Sequence, residues 1–511
     1  MSRYYIITIG GTGARCLESL VHLSASGVFD KNVSVLHIDA DKDNGNWGRA
    51  FTALNHYKKI KHLIGTNNTD FFRHNIGEGA IEERRDDIWF YPLPENEEGG
   101  YYTSLNNFSG NSELTEILFT SGIRADKWDI GFKGRSSLGS IATAQAFEWN
   151  KRPWDKLRSD ITTSLSNSKE VRVFFIGSIF GGTGSSIFPT IGKLFDNQFG
   201  ANSNFFLGGS ILLPYFTYTV PNGEQDNYAK PADFLVKTRQ HMDYYKSLPF
   251  KKIYMLGETE RKGVSASIGA KDQENPPHHL EMLAILAANN FFELNRDNII
   301  NIPPTDKFSF LGRKTRGKVI WEDLPELPGK QVNETKLLTF TTMSCSFIGF
   351  WYKLLRDDKY FKRSEWYIKH IGKDPDIDKN MEVLKEYLED YFLTWLLGLH
   401  VQCGERDKKE YKDWILEADI YKVIETCLFS TEILKDFLKD VSGAGLNKLK
   451  WRPSDGKGGY VPKEEDAYDF LWKSACDTEL LERISGYGSL SRVFHILCET
   501  SKKFMDINYS S

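Results

Sequence analysis

The sequence predicts an α/β protein, with a parallel sheet in its first part and a largely helical region at its end. Three observations carry that prediction. Tyr4–Ile9 and Val171–Ile176 are runs dominated by β-branched, aliphatic and aromatic residues, the pattern of strands buried on both faces. Each run is followed by glycines and then by apolar residues at helical spacing, which is the strand–turn–helix order of a parallel crossover. From Met381 onward apolar residues recur three and four apart, as in EVLKEYLEDYFLTWLLGL, DWILEADIYKVIETCL, TEILKDFLKDV and AYDFLWKSACDTELLERI.

Composition bounds the possibilities. A chain of 511 residues has room for two or three domains. With 40% hydrophobic and 26% charged residues it can bury a large core. A net charge of −4 gives no basic excess that would argue for nucleic acid or a membrane surface. Its six cysteines (Cys16, Cys345, Cys403, Cys427, Cys476 and Cys498) form no C-x-x-C pair, so neither a disulfide framework nor a structural zinc is expected. The chain opens on a strand with no signal-peptide pattern, and a cytoplasmic location is expected. Its longest apolar cluster, Tyr391–Leu399, falls short of the ~18 residues a membrane helix needs and reads as a buried helix.

The glycine turns carry the chemistry. After the strand at Val171 come Gly181, Gly182, Thr183, Gly184, Ser185 and Ser186, then Ile187, Ile191 and Leu194 at helical spacing. This layout aims backbone N–H groups and a helix N-terminus at an anion, with Thr183, Ser185 and Ser186 as hydroxyl donors. The alternative is an ordinary glycine-rich strand-to-helix turn. A side chain at Gly182 is expected to fill the phosphate space and leave the fold intact. A second turn, Gly10, Gly11, Thr12, Gly13, Ala14 and Arg15, shares the letters Gly-Gly-Thr-Gly and leads into a helix through Leu17, Leu20 and Leu23. Neither turn continues into Gly-Lys-Ser/Thr, so neither is a Walker loop. A dinucleotide fingerprint fits Gly11 and Gly13, with an acid at Asp39 or Asp41, but Cys16 holds the third glycine place. That dehydrogenase reading leaves the second turn unused and finds no catalytic Tyr-x-x-x-Lys.

Two glycine turns in one domain resemble the tubulin/FtsZ superfamily, where an N-terminal loop and a Gly-Gly-Gly-Thr-Gly-Ser/Thr-Gly loop grip one nucleotide. Here the second loop reads Phe180-Gly181-Gly182-Thr183-Gly184-Ser185-Ser186, with Phe180 and Ser186 replacing the outer glycines. The order of the other pieces matches too. VSVLHIDAD (33–41) is similar to the second strand and acidic loop, and GFKGRSSLGSIATA (131–144) to the third phosphate loop. LGGSILLPYFTY (207–218) is similar to the strand and Pro-containing ribose loop, and IYMLGE (253–258) to the strand before the base loop. The likeness is nearer to divergent bacterial tubulin-like proteins than to tubulin or FtsZ.

The resemblance implies a Rossmann-type parallel sheet forming a nucleotide-binding domain with a central helix, followed by the helical C-terminal region. It implies GTP or GDP as ligand, with Mg²⁺ supporting the phosphates. Carried over position by position, Gly10, Gly11, Thr12, Gly13 and Arg15 form one phosphate loop, and Gly181, Gly182, Thr183, Gly184 and Ser185 the other. Asp39 and Asp41 order a metal-bound water or the loop around the phosphates; the alternative is a solvated turn. Arg135 and Ser136 approach the terminal phosphate, unless Arg135 pairs with a surface acid. Pro214 lies near the ribose. Glu258 accepts from guanine N1–H and N2–H₂, or else is a loop carboxylate in water. Pro276, Pro277, His278 and His279 open the central helix, Leu280–Leu294. In its first turn Glu281 reaches the base edge or offsets the helix dipole, and the two histidines cover the base face without forming a metal site.

The domains expected are a GTP-binding domain at 1–295, a connecting α+β segment at 296–380 and a helical domain at 381–511. Within the first, residues 42–128 read as a family-specific insertion. Tubulin-type hydrolysis needs a Gly-x-x-Asn-x-Asp-x-x-Asp/Glu loop from a neighbouring subunit, and none is recognisable. The nearest letters, Gly443–Lys448, carry Lys448 where an acid belongs. Two functional readings follow. One is a GTP-binding protein that assembles into polymers or complexes and is at most a weak GTPase. The other is a non-polymerising, nucleotide-gated scaffold or sensor in a bacterial multi-protein system such as phage defence. In either, self-association or a protein partner is expected at the helical region.

Overall fold

The computed structural model describes residues 2–41, 43–65, 69–77, 88–92, 104–105, 112–125, 131–132, 134–219, 231–258, 261–265, 271, 273–312, 321, 324–400 and 467–509. In chain order the first elements are β1 (Arg3–Ile9), α1 (Gly10–Ala25), β2 (Ser34–Asp39), α2 (Gly45–Ile64), β3 (Ile88–Pro92), α3 (Ser112–Leu118) and α4 (Ser121–Ala125). They continue with α5 (Ser136–Ala146), α6 (Trp154–Ser166), β4 (Val171–Ser178), α7 (Gly182–Phe199), β5 (Phe205–Leu212), β6 (Phe216–Thr219) and α8 (Pro231–Lys246). Then come β7 (Lys252–Leu256), β8 (Lys262–Ser265), α9 (His279–Glu293) and, after further turns, β9 (Phe308–Leu311).

Seven of these strands form one sheet in the order β3-β2-β1-β4-β5-β7-β9, every pair parallel; β6 and β8 pair separately. Central β4 and β5 are buried along their whole length, so their apolar runs face packed side chains on both sides. One face carries Ile7, Ile9, Val173 and Phe175 against Ile187, Phe188 and Ile191 of α7. On the other, the Phe174 ring packs tilted against Phe291 and edge to face with Phe292 of α9. Arg172 interrupts the β4 run. Its buried guanidinium is satisfied by the Phe291 carbonyl at 2.7 Å and by Glu170. Inside α7, Pro189 has no N–H to give the Ser185 carbonyl, so one rung of that helix is missing.

The described residues divide into two compact units. The first holds Met1–Val21, Lys31–Thr52 and His74–Lys314; the second holds His22–Asp30, Ala53–Arg73 and Thr315–Ser511. The described part of the second unit is helical. Lys330–Ser346 runs through a π-helical stretch, Phe347–Trp351, into Tyr352–Asp357. Ile377–Glu386 runs through another, Tyr387–Leu393, into Thr394–His400. Ala467–Ala475, Thr478–Arg483 and Ser489–Tyr509 close the chain. Phe72, Phe340, Tyr387 and Phe494 pack edge to face in this unit's core.

Several sequence readings are adjusted here. Of the segment 296–380, Phe308–Leu311 is the edge strand of the sheet and belongs to the first unit. In the helix Lys330–Ser346 the Thr339, Thr341, Ser344 and Ser346 hydroxyls bond back to carbonyls four residues earlier. The segments at 413–428, 431–441 and 443–448 lie outside the described residues. Among the described residues no helix is long and apolar enough to cross a membrane.

Candidate functional site

Strand order places the site. β1 and β4 are neighbours, yet β1 crosses over to β2 on one side and β4 to β5 on the other. Such a reversal opens a crevice at the carboxyl ends of the strands. Both Gly-Gly-Thr-Gly turns lie at that crevice, because α1 starts at the end of β1 and α7 shortly after β4.

The turns meet. Gly10 takes φ +69°, a left-handed conformation that favours glycine, and a methyl group on it would stand 3.4 Å from Thr183 Cβ. Gly131, at the third loop, would bring a methyl within 3.8 Å of Thr183 Oγ1. Thr183 is therefore the residue of the second loop that the first and third loops both approach. Gly11 lies under the Asn44 and Asn46 amides, Gly13 packs on Thr8 of β1, and a methyl on Gly184 would run into Ser178. Helices α5 and α7 begin without a side-chain cap at Arg135 and Gly181, and α1 has no acid in its first turn. Three helix N-termini, two of them without a side-chain cap, thus collect at one sheet edge.

The structure corrects two roles in the second turn. Ser185 donates its hydroxyl proton to the Gly181 carbonyl at 2.5 Å, so Ser136 Oγ, 2.8 Å away, is the donor to Ser185. Ser186 turns back to the Gly182 and Thr183 carbonyls. These hydroxyls fasten the turn. Gly182 also serves differently from expectation. A methyl there would stand 2.8 Å from Gly134 N and 2.9 Å from Phe132 Cβ, so the space above it belongs to the third loop.

The acidic loop is not a solvated turn. Asp39 and Asp41 are each 3% exposed. Asp39 Oδ1 accepts the Asp41 N–H at 3.2 Å, and Asp41 Oδ2 accepts from Asn44 Nδ2 at 3.3 Å. Burial, reinforced by Asp41, pushes the Asp39 carboxyl up to about 8. Asn44 also donates to Gln273 at 2.7 Å, and Asn46 Oδ1 accepts the Asn275 N–H at 2.8 Å. The strap before α9 is thereby tied to the loop after β2.

At the other end Arg15 and Glu281 are both buried and joined. Arg15 Nε donates to Glu281 Oε1 at 2.5 Å, Tyr215 O–H donates to the same oxygen at 2.6 Å, and the His278 N–H reaches Oε2 at 2.9 Å. His278 Nδ1 accepts the Leu280 N–H, completing a capping box. Arg15 also reaches Tyr215 Oη at 2.6 Å and Thr12 Oγ1 at 3.4 Å. Burial alone would lower the Arg15 pKa, but Tyr215 and Glu281 outweigh it and hold the guanidinium charged. Tyr215 follows Pro214, which is buried in the loop between β5 and β6. Glu258 is no solvated loop carboxylate: its side chain is 3% exposed and Oε2 lies 3.4 Å from His279 Nε2.

Arg135 stands half-buried at the start of α5. Sequence reasoning did not single out Tyr215, Asn44, Asn46, Gln273 or Asn275. A tyrosine directly after the loop proline was the one local sign of Tyr215. Among the described residues no group of three His, Cys, Asp or Glu side chains could hold a metal ion.

Fold and site together define a doubly wound α/β protein whose two glycine turns meet at the switch point of its sheet. The solved structures it is similar to include tubulin/FtsZ-family proteins. One is CetZ1 from Haloferax volcanii, a GDP-bound monomer, at 11% identity and TM-score 0.31, covering 66% of this chain and 72% of that one. Another is CetZ2 from Haloferax volcanii, a GTPγS-bound protofilament, at 11% identity and TM-score 0.30, covering 67% and 72%. A third is the TubZ of Clostridium botulinum phage c-st, truncated at its C-terminal tail, at 12% identity and TM-score 0.29, covering 65% and 74%. No protein-family model and no curated protein matches the chain.

Proposed function

We propose that the chain binds a guanine nucleotide, GTP or GDP, at this sheet edge, as a tubulin-like protein that assembles into polymers or complexes. The observation that carries the reading is the meeting of two Gly-Gly-Thr-Gly turns, from adjacent strands of opposite crossover, around Thr183. Their backbone N–H groups and the uncapped starts of α5 and α7 suit phosphates. The described residues offer no protein cage for Mg²⁺, so a Mg²⁺ ion in this reading is carried by the ligand's own phosphates and water. At the base end Glu281 accepts three hydrogen bonds from the chain, and Glu258, buried beside His279, is assigned in this reading to the purine edge.

Labelled GTP is expected to be displaced by GTP and GDP and poorly by ATP or NAD. Equal displacement by ATP or NAD would reject the guanine assignment.

Hydrolysis by the isolated protein is expected to be slow or absent. The cradle would position and neutralise phosphates, and the acidic loop that a neighbouring subunit would bring to orient a water is not recognisable in the sequence. The check is phosphate release across a wide range of protein concentration. Rapid turnover rising more than linearly would mean that neighbouring subunits complete the site. Light scattering with and without GTP and Mg²⁺ separates an assembling protein from a non-polymerising scaffold.

A further inference from the structure

We propose that residues 273–275 form a strap that gates ligand exchange at the first glycine turn; this rests on the nucleotide-binding reading above. The way onto that turn is narrow. Gly10, Thr12 and Gly13 are buried, and of the four residues Gly11 alone is partly open. Two side-chain amides stand over it: a methyl group on Gly11 would lie 3.4 Å from Asn44 Nδ2 and 3.5 Å from Asn46 Nδ2. Both asparagines are themselves buried, at the start of α2. Outside them runs the strap, whose Gln273, Glu274 and Asn275 are half-buried and so meet solvent. From the turn outward the order is glycine, asparagine amides, strap, water.

The strap is fastened by separate polar contacts. Asn44 Nδ2 donates to Gln273 Oε1 at 2.7 Å, the Asn46 N–H to the Gln273 carbonyl at 3.1 Å, and the Asn275 N–H to Asn46 Oδ1 at 2.8 Å. Arg15 Nη1 donates to Asn275 Oδ1 at 3.3 Å, and Arg49 Nη1 lies 3.7 Å from Glu274 Oε1. A methyl on Gly45 would stand 2.5 Å from the Lys271 carbonyl oxygen, so the bare glycine lets this segment lie close on the start of α2. Only the Asn46–Gln273 bond joins backbone to backbone; the rest use side chains, and Pro276 and Pro277 follow with no N–H to add. Half-exposed contacts of this kind exchange readily with water. The elements on either side do not depend on them. α9 has its own capping box at His278 and Glu281, and Arg49 of α2 is held by Glu18 at 2.7 Å. The strap can therefore lift while α2 and α9 stay folded. When it lifts, Asn44 and Asn46 lose the outer partners that keep their amides over Gly11.

A gate that does not touch the ligand scales entry and exit by the same factor and leaves the equilibrium unchanged. The test is stopped-flow mixing of a fluorescent GTP analogue with wild type and with the double variant Gln273→Ala, Asn275→Ala. Losing these strap bonds is expected to raise both the association and the dissociation rate constant about tenfold, with the dissociation constant held within about twofold. Unchanged rates overturn the proposal. A change in one rate alone also overturns it, since the strap would then contact the ligand or fill its place. A wild type that binds no analogue overturns the nucleotide reading and this proposal with it. If the double variant does not fold, hydrogen exchange of GTP-bound wild type decides. The Asn46 and Asn275 N–H groups, both spent on the strap, are expected to open at least as fast as the analogue leaves. An analogue that leaves faster than they open overturns the gate.

Discussion

Arg15→Met is expected to destabilise the protein by about 3–5 kcal/mol, the usual cost of removing one member of a buried ion pair. Arg15 and Glu281 have side chains only 5% and 0% exposed, so neither can turn to water when the other is lost. The carboxylate would keep the Tyr215 hydroxyl and the His278 N–H but lose its counter-charge. Denaturant unfolding measures the effect, as a lower midpoint at unchanged slope. Adding Glu281→Leu to Arg15→Met should recover part of the loss, because the orphaned charge is then gone. A single-mutant effect below about 1 kcal/mol would place the pair in the class of exposed ion pairs and reject the buried geometry.

Gly182→Val is expected to abolish nucleotide binding and also to lower stability, by roughly 1–3 kcal/mol as overpacking does. Its Cβ alone would press on Gly134 N and Phe132 Cβ, so the third loop must move. That loop leads into α5, whose Ser136 is tied to Ser185. Binding is lost because two of the three converging loops separate. Melting temperature and GTP affinity are measured together. Normal affinity in the variant would put the cradle elsewhere, and an unchanged melting temperature would show that the loop yields freely.

What was legible in the sequence was local. The β1 and β4 strands, the paired turns and the helical end announce themselves in consecutive residues, so the fold class and the places of the two glycine turns could be read directly. The short β3 and β9 strands could not, since edge strands of four or five residues carry little periodicity. The partners of Arg15 were hidden for another reason. Glu281 lies 266 positions away and Tyr215 lies 200, and no spacing rule links such residues. Ser185 and Ser186 looked like phosphate donors because a hydroxyl in a turn shows nothing of where its proton goes. Only the folded turn shows those protons spent on carbonyls.

Pro189 bears on how a bound state could be felt elsewhere. A continuous helix is a stiff rod that transmits a push along its axis, and α7 lacks the rung between residue 189 and Ser185, one turn from the cradle. A displacement at Gly182–Ser185 would bend the rod at that break before it reached Phe195 and Phe199 at the far end. The firmer link runs sideways, through the Ser136–Ser185 bond into α5. Lengthwise α7 has a weakened step at Pro189, and sideways its first turn is tied to α5 through Ser136.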